Sequence, residues 1–163
     1  MSMIGNYRRV SQRTLNDLLA NPQKVSGFLY SEEEPSPNEC VDVDKSWHII
    51  HFLLTGESWE GNPPWSDVVL GGTQVSDEDM GYGPARYLTP MQVRNVSRAL
   101  ATVSPVQLIA RWDAPRIAAA DIYPQIWDDT PENREYVSTN YEKLCDLFTV
   151  AANHGDAMIV WLN

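Results

Sequence analysis

Three helix starts of one kind constrain the fold of this chain more than any other feature. Thr89-Pro90, Ser104-Pro105 and Thr130-Pro131 each place a hydroxyl side chain before a proline, ahead of apolar residues at helical spacing. The hydroxyl can accept from free amide groups of the first turn, and proline at the first helical position costs no hydrogen bond. We therefore predict a helix at each of the three, the longest ending at His154 before Gly155.

Between and around these helices, apolar patterns predict strands. Met3 to Val10 is short and partly apolar, Pro84 to Leu88 is a second candidate, and Ala157 to Leu162 is apolar on both faces. The last pattern is typical of an interior strand covered by helices. Ser11 has the features of a further helix N-cap. The sequence thus predicts one compact domain over residues 1–163 of the α/β (α+β) class, with a small central sheet of about three or more strands surrounded by about six helices.

The charge of the chain excludes some classes of partner. Its net charge of −10 and pI near 4.6 argue against binding to nucleic acid and to anionic membranes, which both need clustered Lys and Arg. A basic protein partner is compatible with this charge, and so is a simple role in solubility. Cys40 and Cys145 have no metal-site spacing, so we expect two free thiols, a cytoplasmic protein, no metal and no cofactor. We find no targeting segment, and the apolar runs are too short to span a bilayer.

A central helix from Asp44 to Thr55 is apolar nearly all round, which is typical of a buried helix. Asp44 is its predicted N-cap. One polar stripe remains, formed at helical spacing by Asp44, His48, His51 and Thr55. The stripe could face solvent, bond to loop backbone, or line a pocket in which a histidine serves as a base or a metal ligand. The two histidines do not form the HExxH zinc motif.

The segment that follows, Gly56 to Pro90, differs from the rest of the chain. It holds six of the nine glycines and six carboxylates against one basic residue, Arg86. Apart from the candidate strand near its end, we predict no regular structure in it. Long irregular segments in compact domains are often functional, so this segment is where we expect a site.

Aromatic residues and the lone arginine define the candidate site within this segment. Arg86 could pair with Asp77 or Asp79, and a held arginine either binds an anion or locks a loop. Trp59 and Trp65 flank a Pro-Pro turn and could form an aromatic wall or cover the edge of the core. The candidate residues are Asp44, His48, His51, Trp59, Trp65, Tyr82, Arg86 and Tyr87. We interpret Tyr123 to Asp129 as a structural corner, and we find no catalytic motif in the chain.

Several stretches resemble the YfbM-like family of bacterial proteins of unknown function. They are residues 3–7 (MIGNY), 44–48 (DKSWH), 54–56 (LTG), 81–90, Tyr123-Pro124, Ile126-Trp127, and the end WLN at 161–163. The resemblance covers essentially the whole chain and implies a single α/β domain. It does not imply a catalytic role for any residue of this chain.

Two functional hypotheses follow from the sequence. In the first, the protein is a non-catalytic binding protein whose acidic Gly56–Pro90 surface receives a basic protein partner. In the second, it is a small-ligand-binding protein or a hydrolase-type enzyme with a pocket between the Asp44–Thr55 stripe and the Gly81–Pro90 loop. There His48 or His51 would be the base and Arg86 would anchor an anion. The second hypothesis requires these side chains to converge.

Overall fold

A five-stranded antiparallel sheet organises the fold in a computed structural model that describes residues 1–163. The order across the sheet is β2-β1-β5-β4-β3, so β2 and β3 are the edge strands. The strands are β1 (Gly5–Val10), β2 (Cys40–Asp42), β3 (Thr73–Asp79), β4 (Pro84–Leu88) and β5 (Ala157–Leu162).

Seven α-helices and three short 3-10 turns surround the sheet. The helices are α1 (Gln12–Ala20), α2 (Val25–Leu29), α3 (Trp47–Thr55), α4 (Pro90–Leu100), α5 (Pro105–Ile109), α6 (Ala114–Ala119) and α7 (Pro131–His154). The 3-10 turns are Pro22–Lys24, Asp44–Ser46 and Trp65–Val68. The predicted α+β class is confirmed. No helix in the structure combines the length and the apolar character that crossing a membrane requires.

Strand β5 is the centre of the sheet, as its apolar sequence predicts. It pairs with β1 from Gly5 opposite Leu162 to Val10 opposite Ala157, and with β4 on its other side. Because helices cover both faces, every residue of β5 except Leu162 is buried. The last strand of the chain thus joins the first strand to β4.

The alternation of side chains along the strands divides the core in two. On one face, Tyr7, Leu88 and Val160 pack with the apolar residues of α3 to α7. On the other face, Ile159 and Trp161 pack with α1 and α2. Helix α3 lies close to the start of β1, where Gly5 leaves room for it. A Cβ atom at Gly5 would lie only 2.8 Å from Cβ of Trp47.

The three predicted helix starts are confirmed. The hydroxyl oxygens of Thr89, Ser104 and Thr130 each accept a hydrogen bond of 3.2 Å from the amide three residues later. Proline occupies the first turn of each helix. Helix α7 has the predicted ends, and the left-handed Gly155 closes it with φ +68°.

Two predictions about local structure are wrong. Asp44 does not cap α3: it has φ +48° and begins the 3-10 turn that precedes Trp47. The prediction that the Gly56–Pro90 segment has no regular structure before Pro84 is also wrong, because this part of the segment contains β3. That strand is polar since it lies at the edge of the sheet and buries only Val75, so its sequence has the composition of a loop.

We expect the loss of a helix cap to destabilise the fold measurably. Replacing Thr130 by Ala removes the acceptor for the Asn133 amide and should lower the free energy of unfolding by about 1 kcal/mol. Thr139→Ala is the matched control, because Thr139 is exposed within α7. Urea denaturation of both variants measures the difference. Equal stabilities would show that the Thr130 hydroxyl does not cap α7.

Candidate functional site

Helix α3 carries the predicted polar stripe through the core. All residues from Trp47 to Leu54 are buried, including both histidines, and Gly56 ends the helix with φ +78°. The left-handed conformation at Gly56 is one that glycine adopts without steric cost. The chain therefore turns back sharply, and residues 57–60 come to lie along the stripe.

His48 uses both ring nitrogens to bond backbone. Its Nε2 lies 2.8 Å from the carbonyl oxygen of Ser58, and its Nδ1 accepts from the amide of Tyr123 at 2.9 Å. Because Nδ1 is an acceptor, the ring is neutral and carries its proton on Nε2, which donates to Ser58. Burial lowers the pKa of His48 and so favours this neutral form. The ring stacks on Trp47 and contacts Trp59, with centroids 4.9 and 4.2 Å away.

His51 bonds the same loop one turn further along the helix. Its Nε2 donates to the carbonyl oxygen of Glu60 at 2.9 Å, while its buried Nδ1 has no partner. Burial lowers the pKa of His51 to about 4. Thr55 continues the pattern, since its hydroxyl oxygen accepts from the amide of Glu57 at 3.1 Å.

Three of the four stripe residues, His48, His51 and Thr55, therefore bond loop backbone, which is one of the three arrangements that the sequence allowed. Neither imidazole is exposed to solvent: the relative exposure of His48 and of His51 is 0%. The hypothesis that one of them acts as a base in an open pocket requires access that this packing denies. No group of three or more His, Cys, Asp or Glu side chains in the structure is arranged to hold a metal ion.

Arg86 also bonds backbone, and the prediction that it pairs with Asp77 or Asp79 is wrong. Its guanidinium donates to the carbonyl oxygens of Gly71 at 2.8 Å and Val69 at 2.9 Å. Arg86 projects from β4 to the face of the sheet that carries α3, whereas both aspartates are exposed at the end of β3. Burial lowers the pKa of Arg86. Next to it, the hydroxyl of Tyr7 donates to Val68 at 2.8 Å.

The other candidate residues lie in different places. Tyr87 follows Arg86 in β4 and faces the opposite core, since successive strand residues alternate. Trp65 is partly buried against the larger core, and Trp59 covers His48 with 60% of its surface exposed. Asp44 accepts from the hydroxyl of Tyr136 at 2.6 Å. Only His48, His51 and Trp59 belong to one cluster, and no common pocket collects the predicted set.

The carboxylates of the Gly56–Pro90 segment face outward without cationic partners. Five of the six are exposed, and none forms an ion pair. The ion pairs of the protein lie elsewhere, at Arg9–Asp156, Lys24–Asp17 and Arg134–Asp129. Asp67 is half-buried, and the loss of solvent raises its pKa. The acidic character of the segment therefore remains uncompensated at the surface.

Strand β3 ends in three exposed carboxylates, and two exposed aromatic rings lie in or next to the turn that follows it. We call this surface the hairpin patch and define it as Asp77, Glu78, Asp79, Tyr82 and Tyr30. Asp79 accepts from the amides of Gly81 at 2.8 Å and Gly83 at 3.0 Å, which lowers its pKa and shapes the β3–β4 turn. Tyr82 is 39% exposed and Tyr30 is 47% exposed. The hydroxyl of Tyr30 donates to Met80 at 2.9 Å, next to that turn. Sequence reasoning missed Tyr30, because 50 residues separate it from Met80.

Protonation of His51 should destabilise the fold in acid. A base with a lowered pKa in the folded state binds more protons when unfolded, so its contribution is complete above pH 6.5 and is lost as the pH falls towards 4. His51→Gln keeps a donor for Glu60 but does not titrate. Between pH 7.0 and 4.5, we expect the wild type to lose about 2 kcal/mol more unfolding free energy than this variant.

Urea denaturation at the two pH values measures this difference. His154→Gln is the control, because His154 is exposed near the end of α7. The control should lose as much stability as the wild type. If His51→Gln also loses as much, then the buried neutral imidazole is not a source of acid sensitivity.

Arg86→Lys should loosen the chain around Gly71. A lysine keeps the charge but cannot donate to two carbonyl oxygens in the planar geometry of a guanidinium. We expect a loss of about 2 kcal/mol in unfolding free energy and faster amide exchange in residues 69–75. Arg94→Lys on the exposed side of α4 is the matched control. Unchanged exchange in Arg86→Lys would contradict the bonding role of Arg86.

Comparison with known proteins places the chain in a family. The chain is 32% identical over 85 residues to protein YfbM of Escherichia coli strain K12, and the matched part is 50% of each chain. The chain thus spans about half the length of that curated relative in the sequence match. A crystal structure of the Escherichia coli protein of unknown function YfbM has the same fold, with a TM-score of 0.75 and 20% identity over 98% of this chain and 99% of that one.

The family assignment itself comes from a family model that covers nearly the whole chain. The model described as a domain of unknown function, DUF1877, matches residues 1–161. The resemblance to the YfbM-like family that the sequence motifs indicate is thereby confirmed. From its first strand to its last, this chain belongs to the DUF1877 family.

Proposed function

We propose that this protein is a non-catalytic binding protein that receives a basic protein partner at the hairpin patch. The observation that carries the proposal is the run of three exposed carboxylates, Asp77, Glu78 and Asp79, which form no ion pair and lead into a turn that holds the exposed Tyr82 and is bonded by Tyr30. Uncompensated carboxylates attract a partner rich in Lys and Arg and speed its association.

The tyrosines add contacts that charge alone does not provide. Aromatic side chains are enriched in protein interfaces because they bury a large area at a small cost in conformational entropy. Tyr30 and Tyr82 present such area at the β3–β4 turn, and rings of this kind also bind guanidinium and ammonium groups. The patch therefore offers complementary chemistry to arginine and lysine side chains.

The patch is held in shape before any partner arrives. Asp79 bonds two amides of the turn, Tyr30 bonds Met80, and Arg86 fixes the chain that leads into β3. A preorganised surface binds more tightly because less conformational freedom is lost on association. Asp77 and Glu78 are exposed and form no ion pair, so their carboxylates are accessible to a partner.

A pull-down at two salt concentrations tests this function. The immobilised protein is exposed to extract of its source organism at low and high salt, and retained proteins are identified by mass spectrometry. We expect a basic protein at low salt that is released at high salt, because exposed charges are screened within about 8 Å at physiological ionic strength. If no basic protein is retained at low salt, the proposal fails.

Matched variants locate the surface. Asp77→Asn combined with Glu78→Gln should abolish retention without affecting the turn, which depends on Asp79. Glu142→Gln combined with Asp146→Asn changes the charge equally on the exposed side of α7 and should leave retention intact. Equal losses in the two double variants would assign the binding to net charge rather than to the hairpin patch.

A further inference from the structure

A second surface feature lies away from the hairpin patch, between α6 and the chain that leads into α7. It is a cleft of about 400 Å³, which is within the range of small-molecule sites. Ile117, Ile122 and Trp127 form its apolar floor, and Asp121, Asp128 and Asp129 lie around it. The sequence indicated a structural corner here, at Tyr123 to Asp129. The fold brings that corner against α6 and so creates the cleft.

We propose that this cleft binds an organic ammonium ion with an apolar body. Ile117, Ile122 and Trp127 lie at the bottom of the cleft, where they are only 3%, 1% and 5% exposed, and the exposed Ala118 of α6 adds apolar surface to its lining. The indole of Trp127 is fixed because its Nε1 donates to the carbonyl oxygen of Tyr123 at 2.8 Å. A ligand therefore meets a rigid apolar surface, and its burial there displaces water.

The charges around the floor select a cation. Asp129 is neutralised by Arg134, whose Nε lies 2.5 Å from Oδ1 of Asp129. Asp121 and Asp128 have no cationic partner. The side-chain amide of Gln125 donates to Asp121, which orients the carboxylate without neutralising it. Two negative charges thus lie beside an apolar floor, and an ammonium group attached to an apolar body complements both features.

Hydrogen bonds hold the backbone that carries the carboxylates. Nδ2 of Asn133 lies within hydrogen-bonding distance of the carbonyl oxygens of Ile126 at 2.9 Å and Asp128 at 2.8 Å. Asp121 and Gln125 have left-handed backbones, with φ of +55° and +65°. The shape of the cleft is therefore a property of the folded chain rather than of a bound ligand. This site shares no residue with the hairpin patch, so it is independent of the proposed partner.

Titration with a defined amine tests the proposal. 2-Phenylethylammonium is added to the labelled protein at low salt and pH 7, and binding is followed by NMR shifts of the backbone amides and the indole groups. 2-Phenylethanol is the neutral control of matched size. We expect shifts confined to residues 114–129 and a dissociation constant at least about tenfold lower for the ammonium ion. Equal affinities, or shifts centred elsewhere, would overturn the proposal.

Variants assign the contributions of charge and shape. The double variant Asp121→Asn with Asp128→Asn keeps the side-chain shapes, and asparagine tolerates the left-handed backbone at position 121. Because this variant lacks both negative charges, we expect it to bind the ammonium ion about tenfold more weakly. Asp146→Asn on α7 is the charge control and should bind as the wild type does. Ala118→Phe, at an exposed position of the cleft, should block binding of both probes. Undiminished binding in either cleft variant would contradict the site.

A further arm distinguishes two sources of the ammonium group. Nα-acetyl-lysine amide carries it as a protein side chain does, whereas 2-phenylethylammonium is a free amine. Tighter binding of the free amine assigns the cleft to a small metabolite, and tighter binding of the lysine derivative assigns it to a protein side chain. If neither amine binds while the hairpin patch still retains a basic protein, the proposal for the cleft is rejected and the proposed function is unaffected.

Discussion

The structure depends on a small set of buried donors that bond the backbone of the long connection between α3 and β4. His48 and His51 bond Ser58 and Glu60. Arg86 bonds Val69 and Gly71, and Tyr7 bonds Val68. A buried carbonyl group without a donor is costly, so a connection of this length can lie against a core only where side chains satisfy it. These bonds convert a glycine-rich segment into an ordered layer.

This use of the polar side chains decides where function can lie. The histidines and the arginine form hydrogen bonds with backbone carbonyl oxygens of the protein itself, and burial keeps the imidazoles neutral. The interior of the segment therefore offers no open reactive group. Its carboxylates form no ion pair and, apart from the half-buried Asp67, are exposed. His48 also bonds Tyr123, which ties this layer to the loop that borders the cleft beside α6.

The antiparallel sheet explains why residues that are neighbours in sequence serve different regions. Arg86 and Tyr87 belong to opposite cores because β4 alternates its side chains between the two faces. Tyr30 and the β3–β4 turn, which are distant in sequence, meet because α2 packs beneath β3 and the hydroxyl of Tyr30 reaches Met80. Residues that are close in sequence therefore do not always lie close in space. The sheet places the predicted site residues in different regions of the molecule.

By itself the sequence determined the features that local chemistry controls. The capped starts at Thr89, Ser104 and Thr130, the whole of α7 and the interior strand β5 follow from hydroxyl-proline pairs and apolar periodicity. Tertiary structure alone decided the rest. The edge strand β3 buries one side chain and has no apolar pattern to reveal it. Whether a buried histidine faces a pocket or a carbonyl group depends on where a loop returns, and residues distant in sequence set that path. The hairpin patch and the cleft beside α6 arise in the same way, from side chains that only the completed fold brings together.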